Sequence, residues 1–302
     1  MSAKPSGLEL LKKLFWSSRP ISWINTAYPF GAAYLYASWL ADGGLHLDLD
    51  FALGFLFFLI PYNLLMYGLN DVFDYESDLN NPRKGGIEGA LLDPKWHAPT
   101  LWASALSVIP FVVYFALTED LGTNLWLALF LFTVIAYSAK GLRFKEKPVL
   151  DSLTSASHFV GPMIVGASAA GLDLGNPTFL AFVAAFTLWG VASHAFGAVQ
   201  DVKADREGGI ASIATVFGAA ATSRFAFASY LAAGLIMLST GWPSAIAGIA
   251  ALPYLVIVAP FLNLKDADCE QANRGWRRFI WLNFFAGAVV SILLIQALLP
   301  TN

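Results

Sequence analysis

Charge is what this chain has least of: 13% of its 302 residues are Asp, Glu, Lys or Arg, against 57% hydrophobic. A soluble domain of this length would carry roughly twice that charged fraction, so a water-exposed globular fold is excluded. Cysteine is nearly absent. The single one, Cys269, cannot form an internal disulfide and has no cysteine partner for a metal site. No hydrophilic linker divides the chain, which therefore reads as one domain over residues 1–302. No cleavable leader is expected, because the polar, basic start runs into an apolar stretch long enough to span a bilayer. No nucleic-acid partner is expected.

What the chain has instead is long apolar runs, with a mean hydropathy of +0.60. A helix needs about 20 such residues to cross the hydrocarbon core. About nine spans are expected, at roughly 21–41, 51–70, 98–117, 122–139, 152–170, 178–199, 214–238, 244–264 and 279–299. The fold class is therefore all-α, a polytopic membrane bundle. Trp23, Trp126, Trp242 and Trp281 near span ends suit interfacial anchors.

The basic residues test this division. All 18 Lys and Arg residues fall before span one, in alternate loops after it, or in the first turns of span seven. The opposite loops carry Asp42, Asp48, Asp50, Glu119, Asp120 and Asp173 but no Lys or Arg. This segregation obeys the positive-inside rule. It predicts a cell-membrane protein with its N-terminus and basic loops in the cytoplasm, in contact with membrane lipid.

Two loops on that side are acidic and glycine-bearing. Asn70-Asp71-Val-Phe-Asp74-Tyr-Glu-Ser-Asp78 continues directly from span two and leads to Gly85-Gly86-Ile87. Asp201-Val-Lys-Ala-Asp205 ends span six and leads to Gly208-Gly209-Ile210. The likeness hints at an internal duplication. If the helix runs on to Pro82, Asp71, Asp74 and Asp78 share one face, with Asn70 beside them and Glu76 pointing away. Clustered carboxylates beside a membrane repel and are costly to keep ionised, a conflict that a divalent cation removes. Oxygen-rich sites suit Mg²⁺, which is commonly shared between one or two carboxylates and substrate phosphates. Paired clusters can thus hold metal ions on a diphosphate and neutralise it as a leaving group.

Arg83, Lys84, Arg143, Lys145, Lys147, Lys203 and Arg206 are the candidate phosphate contacts. The run from Lys140 to Lys147 is equally well explained by topology alone. His194, inside span six, is read first as a packed, hydrogen-bonded histidine, with a place facing a reacting cation as the alternative. Tyr67 and Tyr137 are read as packing.

At these residues the chain resembles the UbiA superfamily of intramembrane prenyltransferases. The family's first motif, N-D-x-x-D-x-x-x-D, is met by Asn70, Asp71, Asp74 and Asp78; its second, D-x-x-x-D, by Asp201 and Asp205. The stretch from Tyr137 to Asp151 is similar to the family's basic loop after helix four. The resemblance implies nine transmembrane helices and Mg²⁺ held by those six residues. Asp71, Asp74 and Asp201 are the expected catalytic set, and Arg143, Lys145 and Lys147 the expected phosphate contacts. The donor would be a prenyl diphosphate, dimethylallyl diphosphate in the subgroup whose motif reads most like this one. That subgroup extends lycopene toward C50 carotenoids. Asn81-Pro-Arg-Lys-Gly-Gly-Ile replaces the Arg-Pro segment common among members acting on aromatic quinone precursors. Transfer to an aromatic or tetrapyrrole acceptor is the alternative. A transporter is a weaker one, since transporter sites lie nearer the bilayer midplane.

Overall fold

A computed structural model describes residues 7–79 and 91–298. Among the described residues there are α-helices, short 3-10 turns and no strands. The helices are α1 (Gly7–Ser17), α2 (Trp23–Asp42), α3 (Leu49–Leu59), α4 (Pro61–Phe73), α5 (Tyr75–Asp78), α6 (His97–Thr118) and α7 (Leu121–Ser138). They continue as α8 (Leu150–Ala169), α9 (Pro177–Val199), α10 (Val202–Glu207), α11 (Ile213–Phe217), α12 (Ala219–Leu238), α13 (Ala251–Val258) and α14 (Asn273–Leu298). The starts are chemically marked. Asp48, Asp120 and Asn176 accept backbone N–H bonds at the heads of α3, α7 and α9, and Ser212 closes a capping box with Thr215 on α11.

Among the described residues, seven segments are long and apolar enough to cross a membrane: Leu49–Phe73, Pro94–Thr118, Leu121–Ser138, Pro177–Val199, Ala219–Leu238, Ser244–Phe261 and Asp266–Leu298. Large apolar side chains point outward from them. Leu117 is 81% exposed and Val256 72%, a surface that suits hydrocarbon rather than water. The protein is an integral membrane protein. The expected stretches 21–41 and 152–170 also form helices, α2 and α8, of 20 residues each. They fall outside the seven because Asn25, Thr26 and Ser38 dilute the one, and Asp151, Ser152, Thr154, Ser155, Ser157 and His158 the other. The count of nine is therefore not reached on length and apolarity together.

The chain groups into two compact units, one of Met1–Leu35, Leu45–Arg143 and Gly161–Ala170, the other of Tyr36–Gly44, Phe144–Val160 and Gly171–Asn302. In the first, Phe30, Phe57, Phe58, Tyr62 and Phe115 are fully buried. Gly166 lets two backbones meet: a Cβ there would lie 2.4 Å from the Phe30 carbonyl oxygen. Pro61 starts α4 and breaks the apolar run at Ile60, since proline has no N–H to continue α3. The Phe58 carbonyl left at that break accepts from Thr26 Oγ1 (2.6 Å) and Asn63 Nδ2 (2.9 Å), so no bare backbone oxygen faces apolar surroundings. In the second unit α9 packs along α12 around a core that includes Phe196, Tyr230, Tyr254, Phe261 and Phe279.

Candidate active site

The first acidic motif lies in the first unit, where α4 ends. The expected continuous helix through Pro82 does not form among the described residues: α4 stops at Phe73, and Asp74 caps it with φ −102° and ψ 0°. A four-residue helix, α5, follows and ends at Asp78. Asp74 still donates its N–H to the Asn70 carbonyl at 2.9 Å, so Asn70, Asp71 and Asp74 stay in helical register while Asp78 follows a bend. Glu76 is exposed. The side chain of Asp78, and all of Arg83 and Lys84, lie outside the described residues.

Asp71 and Asp74 are buried, at 1% and 5% exposure. Burial of a carboxylate demands a partner, and each has an arginine. Arg19 Nη2 lies 3.0 Å from Asp71 Oδ1, and its guanidinium sits over the Tyr67 ring, 4.2 Å from the centroid. Arg143 Nη2 lies 3.5 Å from Asp74 Oδ1, while its Nη1 donates to the Phe73 carbonyl at 3.4 Å. Both arginines have left-handed backbones, φ 51° and 40°. Such conformations are costly for a non-glycine residue and turn each side chain off the end of its preceding helix. Asn70 Nδ2 donates to Ser138 Oγ at 3.4 Å.

Arg143, expected as a phosphate contact, lies beside Asp74 of the first motif. Arg19 was counted only as a topological charge and Tyr67 only as packing. Tyr67 could have been found, because it precedes Asp71 by four residues on the same helix. Arg19, 52 residues from its partner, had no signal.

The second motif lies in the second unit. Asp201 is the N-cap residue of α10, directly after α9, and Asp205 donates its N–H to the Asp201 carbonyl at 2.8 Å. The i, i+4 register is therefore real, and both residues are half-buried. Gly209, with φ +70°, turns the chain so that the Ile210 N–H reaches the Asp205 carbonyl at 2.8 Å. Lys203 is exposed. Arg206 is committed elsewhere: it pairs with Asp266 Oδ2 at 2.6 Å and donates Nε and Nη2 to the Thr215 carbonyl at 2.9 and 2.7 Å. It braces the loop after the motif. Lys145 is half-buried on the turn Phe144–Glu146, and exposed Lys147 sits 4.9 Å over the Phe144 ring. Cys269 is buried and donates to the Gln200 carbonyl, tying the end of α9. His194 is hydrogen-bonded through Nδ1 to Ser152 Oγ at 3.1 Å.

Among the described residues no group of three or more His, Cys, Asp or Glu gathers as a self-sufficient metal cage. The donor set that each motif offers is carboxylate and amide oxygen, with no thiolate or imidazole in it. It fits Mg²⁺, which commonly takes only one or two carboxylates and completes its shell with water and substrate phosphate.

The first unit thus brings two buried carboxylates and two arginines together at one helix end, and the second unit carries its own acidic pair at the end of α9. The sequence pattern of the UbiA prenyltransferase family matches residues 30–287. The chain belongs to that family and is a prenyltransferase. Among its relatives is the C(50) beta-cyclic carotenoids biosynthesis protein LbtBC of Dietzia sp., 54% identical over 98% of this chain and 67% of that protein. A lycopene elongase/hydratase of Corynebacterium glutamicum is 52% identical over 95% of this chain and 98% of its own length. The structure of a UbiA homolog from Archaeoglobus fulgidus bound to DMAPP and Mg²⁺ shares the fold, with a TM-score of 0.63 at 17% identity over 92% of this chain and 99% of that one.

Proposed function

We propose that this prenyltransferase moves a dimethylallyl group from dimethylallyl diphosphate to the terminal double bond of lycopene, with Mg²⁺. The observation that carries the reading is identity above 50% to a lycopene elongase/hydratase along nearly the whole of both chains, with both acidic motifs present. The family match runs through both compact units, which supports one catalytic domain.

On this reading Asn70, Asp71, Asp74 and Asp78 of the first motif, and Asp201 and Asp205 of the second, would hold Mg²⁺. The metal supplies positive charge that makes the diphosphate a better leaving group. Arg19 and Arg143 would turn donors from the carboxylates toward phosphate oxygens, a match of planar guanidinium to phosphate geometry. Lys145, Lys147 and Lys203, with Arg83 and Lys84, would add positive charge that attracts the diphosphate. The apolar side chains of the bundle would keep water from the allylic cation until the acceptor's double bond attacks. We also propose that α2 and α8 complete nine spans in the cell membrane, with the N-terminus and both motifs cytoplasmic.

The test is purified protein in liposomes with Mg²⁺, dimethylallyl diphosphate and lycopene, following diphosphate release and pigment mass. Wild type should add C5 units, and Asp74→Ala should lose at least about 100-fold in rate, the scale of removing a major electrostatic contributor. Transfer to an aromatic acid or tetrapyrrole but not lycopene would overturn the acceptor and keep the chemistry. Ion flux without diphosphate release would overturn both.

A further inference from the structure

The first unit begins with a short helix whose outer face does not suit water. α1 reads Gly-Leu-Glu-Leu-Leu-Lys-Lys-Leu-Phe-Trp-Ser over Gly7–Ser17. At about 3.6 residues per turn it has three sides. Leu10, Leu14 and buried Ser17 recur at i, i+4 and i+7 and mark the side turned to α4 and α6, against which α1 packs. Leu8, Leu11 and Phe15 recur at i, i+3 and i+7 on the next side. All three are exposed, Leu8 at 80% and Leu11 at 64%. Lys12 stands at the edge of that side, followed around the helix by Trp16, Glu9 and half-buried Lys13. The helix rises roughly 16 Å, about half the hydrocarbon thickness, so it cannot span. Its level is nevertheless fixed. Arg19, two residues past its end, pairs with Asp71 in the last turn of α4, where the Leu49–Phe73 span ends.

A helix at that level, with Leu and Phe outward and Lys at the edge, has the form of one that lies in the membrane interface. Phe15 meets Trp16 and Trp23 edge to face, with ring centroids 5.3 and 5.6 Å apart, and such rings favour the headgroup level. We infer that α1 docks on anionic lipid headgroups, and that this contact holds Arg19 on the first acidic motif. Anionic lipid fits the face better than a second copy of the chain does. The face adjoins a bundle surface already turned to hydrocarbon, and Lys12 and Lys13 outnumber Glu9. The joint to Arg19 is short and bonded. The Ser18 N–H reaches the Leu14 carbonyl at 2.9 Å, and the Arg19 N–H reaches the Trp16 carbonyl at 3.1 Å. Ser18 Oγ donates to the Phe15 carbonyl at 2.7 Å, and Trp23 Nε1 donates to the Ser18 carbonyl and hydroxyl oxygens at 3.1 and 3.0 Å. Arg19 is therefore carried on the last turn of α1. A shift of about 1 Å in that turn breaks its 3.0 Å contact to Asp71. Eleven residues form only a marginal helix in water, so the lipid surface supplies order that α1 alone lacks. The docking stands on α1 itself, whereas its effect on catalysis rests on the transfer proposed above.

The experiment uses the full chain in liposomes of phosphatidylcholine, alone or mixed with phosphatidylglycerol, and thermal melts confirm that each variant folds. Leu8→Cys carries an environment-sensitive fluorophore, the native Cys269 being buried. Nitroxide lipid should quench it in the mixed vesicles, and aqueous acrylamide should not. One basic residue at an anionic surface is worth roughly fivefold in binding, so adding Lys12→Gln and Lys13→Gln should weaken the docking about 25-fold and restore quenching by acrylamide. The KM for dimethylallyl diphosphate is then measured in both vesicle types, with Mg²⁺ and lycopene. The ratio of the two values, compared between wild type and the double lysine variant, cancels any general effect of surface charge on the donor. Mixed vesicles should lower the wild-type KM by up to about tenfold relative to the variant, the scale of one charge-assisted hydrogen bond, with kcat changed less. Quenching by acrylamide but not by lipid in both vesicle types would overturn the docking. A disulfide between two unlabelled Leu8→Cys chains would give the face to a second copy instead. Equal KM ratios in wild type and variant, with α1 docked in the wild type alone, would overturn the link to Arg19. If wild type does not elongate lycopene, it is the proposed acceptor that fails. The quenching still decides the docking, and the KM ratio is read with the acceptor that works.

Discussion

Two arginines with strained backbones each reach a buried aspartate, and this pairing tells more about the first motif than the aspartates do alone. Arg19 lies against Asp71 on one side and over Tyr67 on the other. A lysine there would keep the charge but lose both the planar fork and the stacking. Arg19→Lys should raise the KM for dimethylallyl diphosphate about tenfold, the cost of one charge-assisted hydrogen bond, and lower kcat much less. Steady-state kinetics at saturating lycopene checks this. An equal fall in kcat would place Arg19 in the transition state rather than in substrate binding.

Among the elements, the break between α3 and α4 repays attention. Pro61 interrupts what composition reads as one span, and the buried Phe58 carbonyl is satisfied by Thr26 of α2 and Asn63 of α4. Asn63 Nδ2 also donates to Thr26 Oγ1 at 2.6 Å, so three helices share one buried polar knot. Asn63→Leu should destabilise the protein by about 1–3 kcal/mol, the cost of leaving buried acceptors unpaired. A melt in detergent measures it, and Thr26→Val added to Asn63→Leu should cost less than the sum of the two, because both serve the same oxygen. The break at Asp74 has a similar logic. A helix carried straight on would keep Asp74 at a φ of about −63°, whereas its φ of −102° and ψ of 0° end α4 there and α5 begins at Tyr75.

For the whole molecule, stability should depend on pH through the loop between α6 and α7. Burial, helped by repulsion from Asp50, Asp120 and Asp48, pushes the Glu119 carboxyl from its ordinary 4.5 up to about 7. Between these values the folded protein holds a proton that the unfolded chain releases. Stability should therefore fall as pH rises from about 4.5 to about 7 and level off above it. Glu119→Gln should flatten that part of the profile and raise the melting temperature at pH 8, as scanning fluorimetry from pH 4 to 9 would show. An unchanged slope would mean that another group governs it.

Hydropathy and charge segregation were sufficient to read an all-helical membrane bundle, because the bilayer leaves no other economical way to satisfy backbone polar groups along such apolar runs. Spacing alone located both acidic motifs, since i, i+4 neighbours follow from helix geometry. Only the tertiary structure decided which cations serve them. Arg143 turns to Asp74, whereas Arg206, equally basic and equally near a motif in sequence, turns to Asp266 and the Thr215 carbonyl. Arg19 joins Asp71 from 52 residues away, and His194 meets Ser152 of another helix through Nδ1. Local pattern fixes what a helix presents on each face. It does not fix which distant side chain meets that face, because that depends on how helices pack against one another and where each turn redirects the chain.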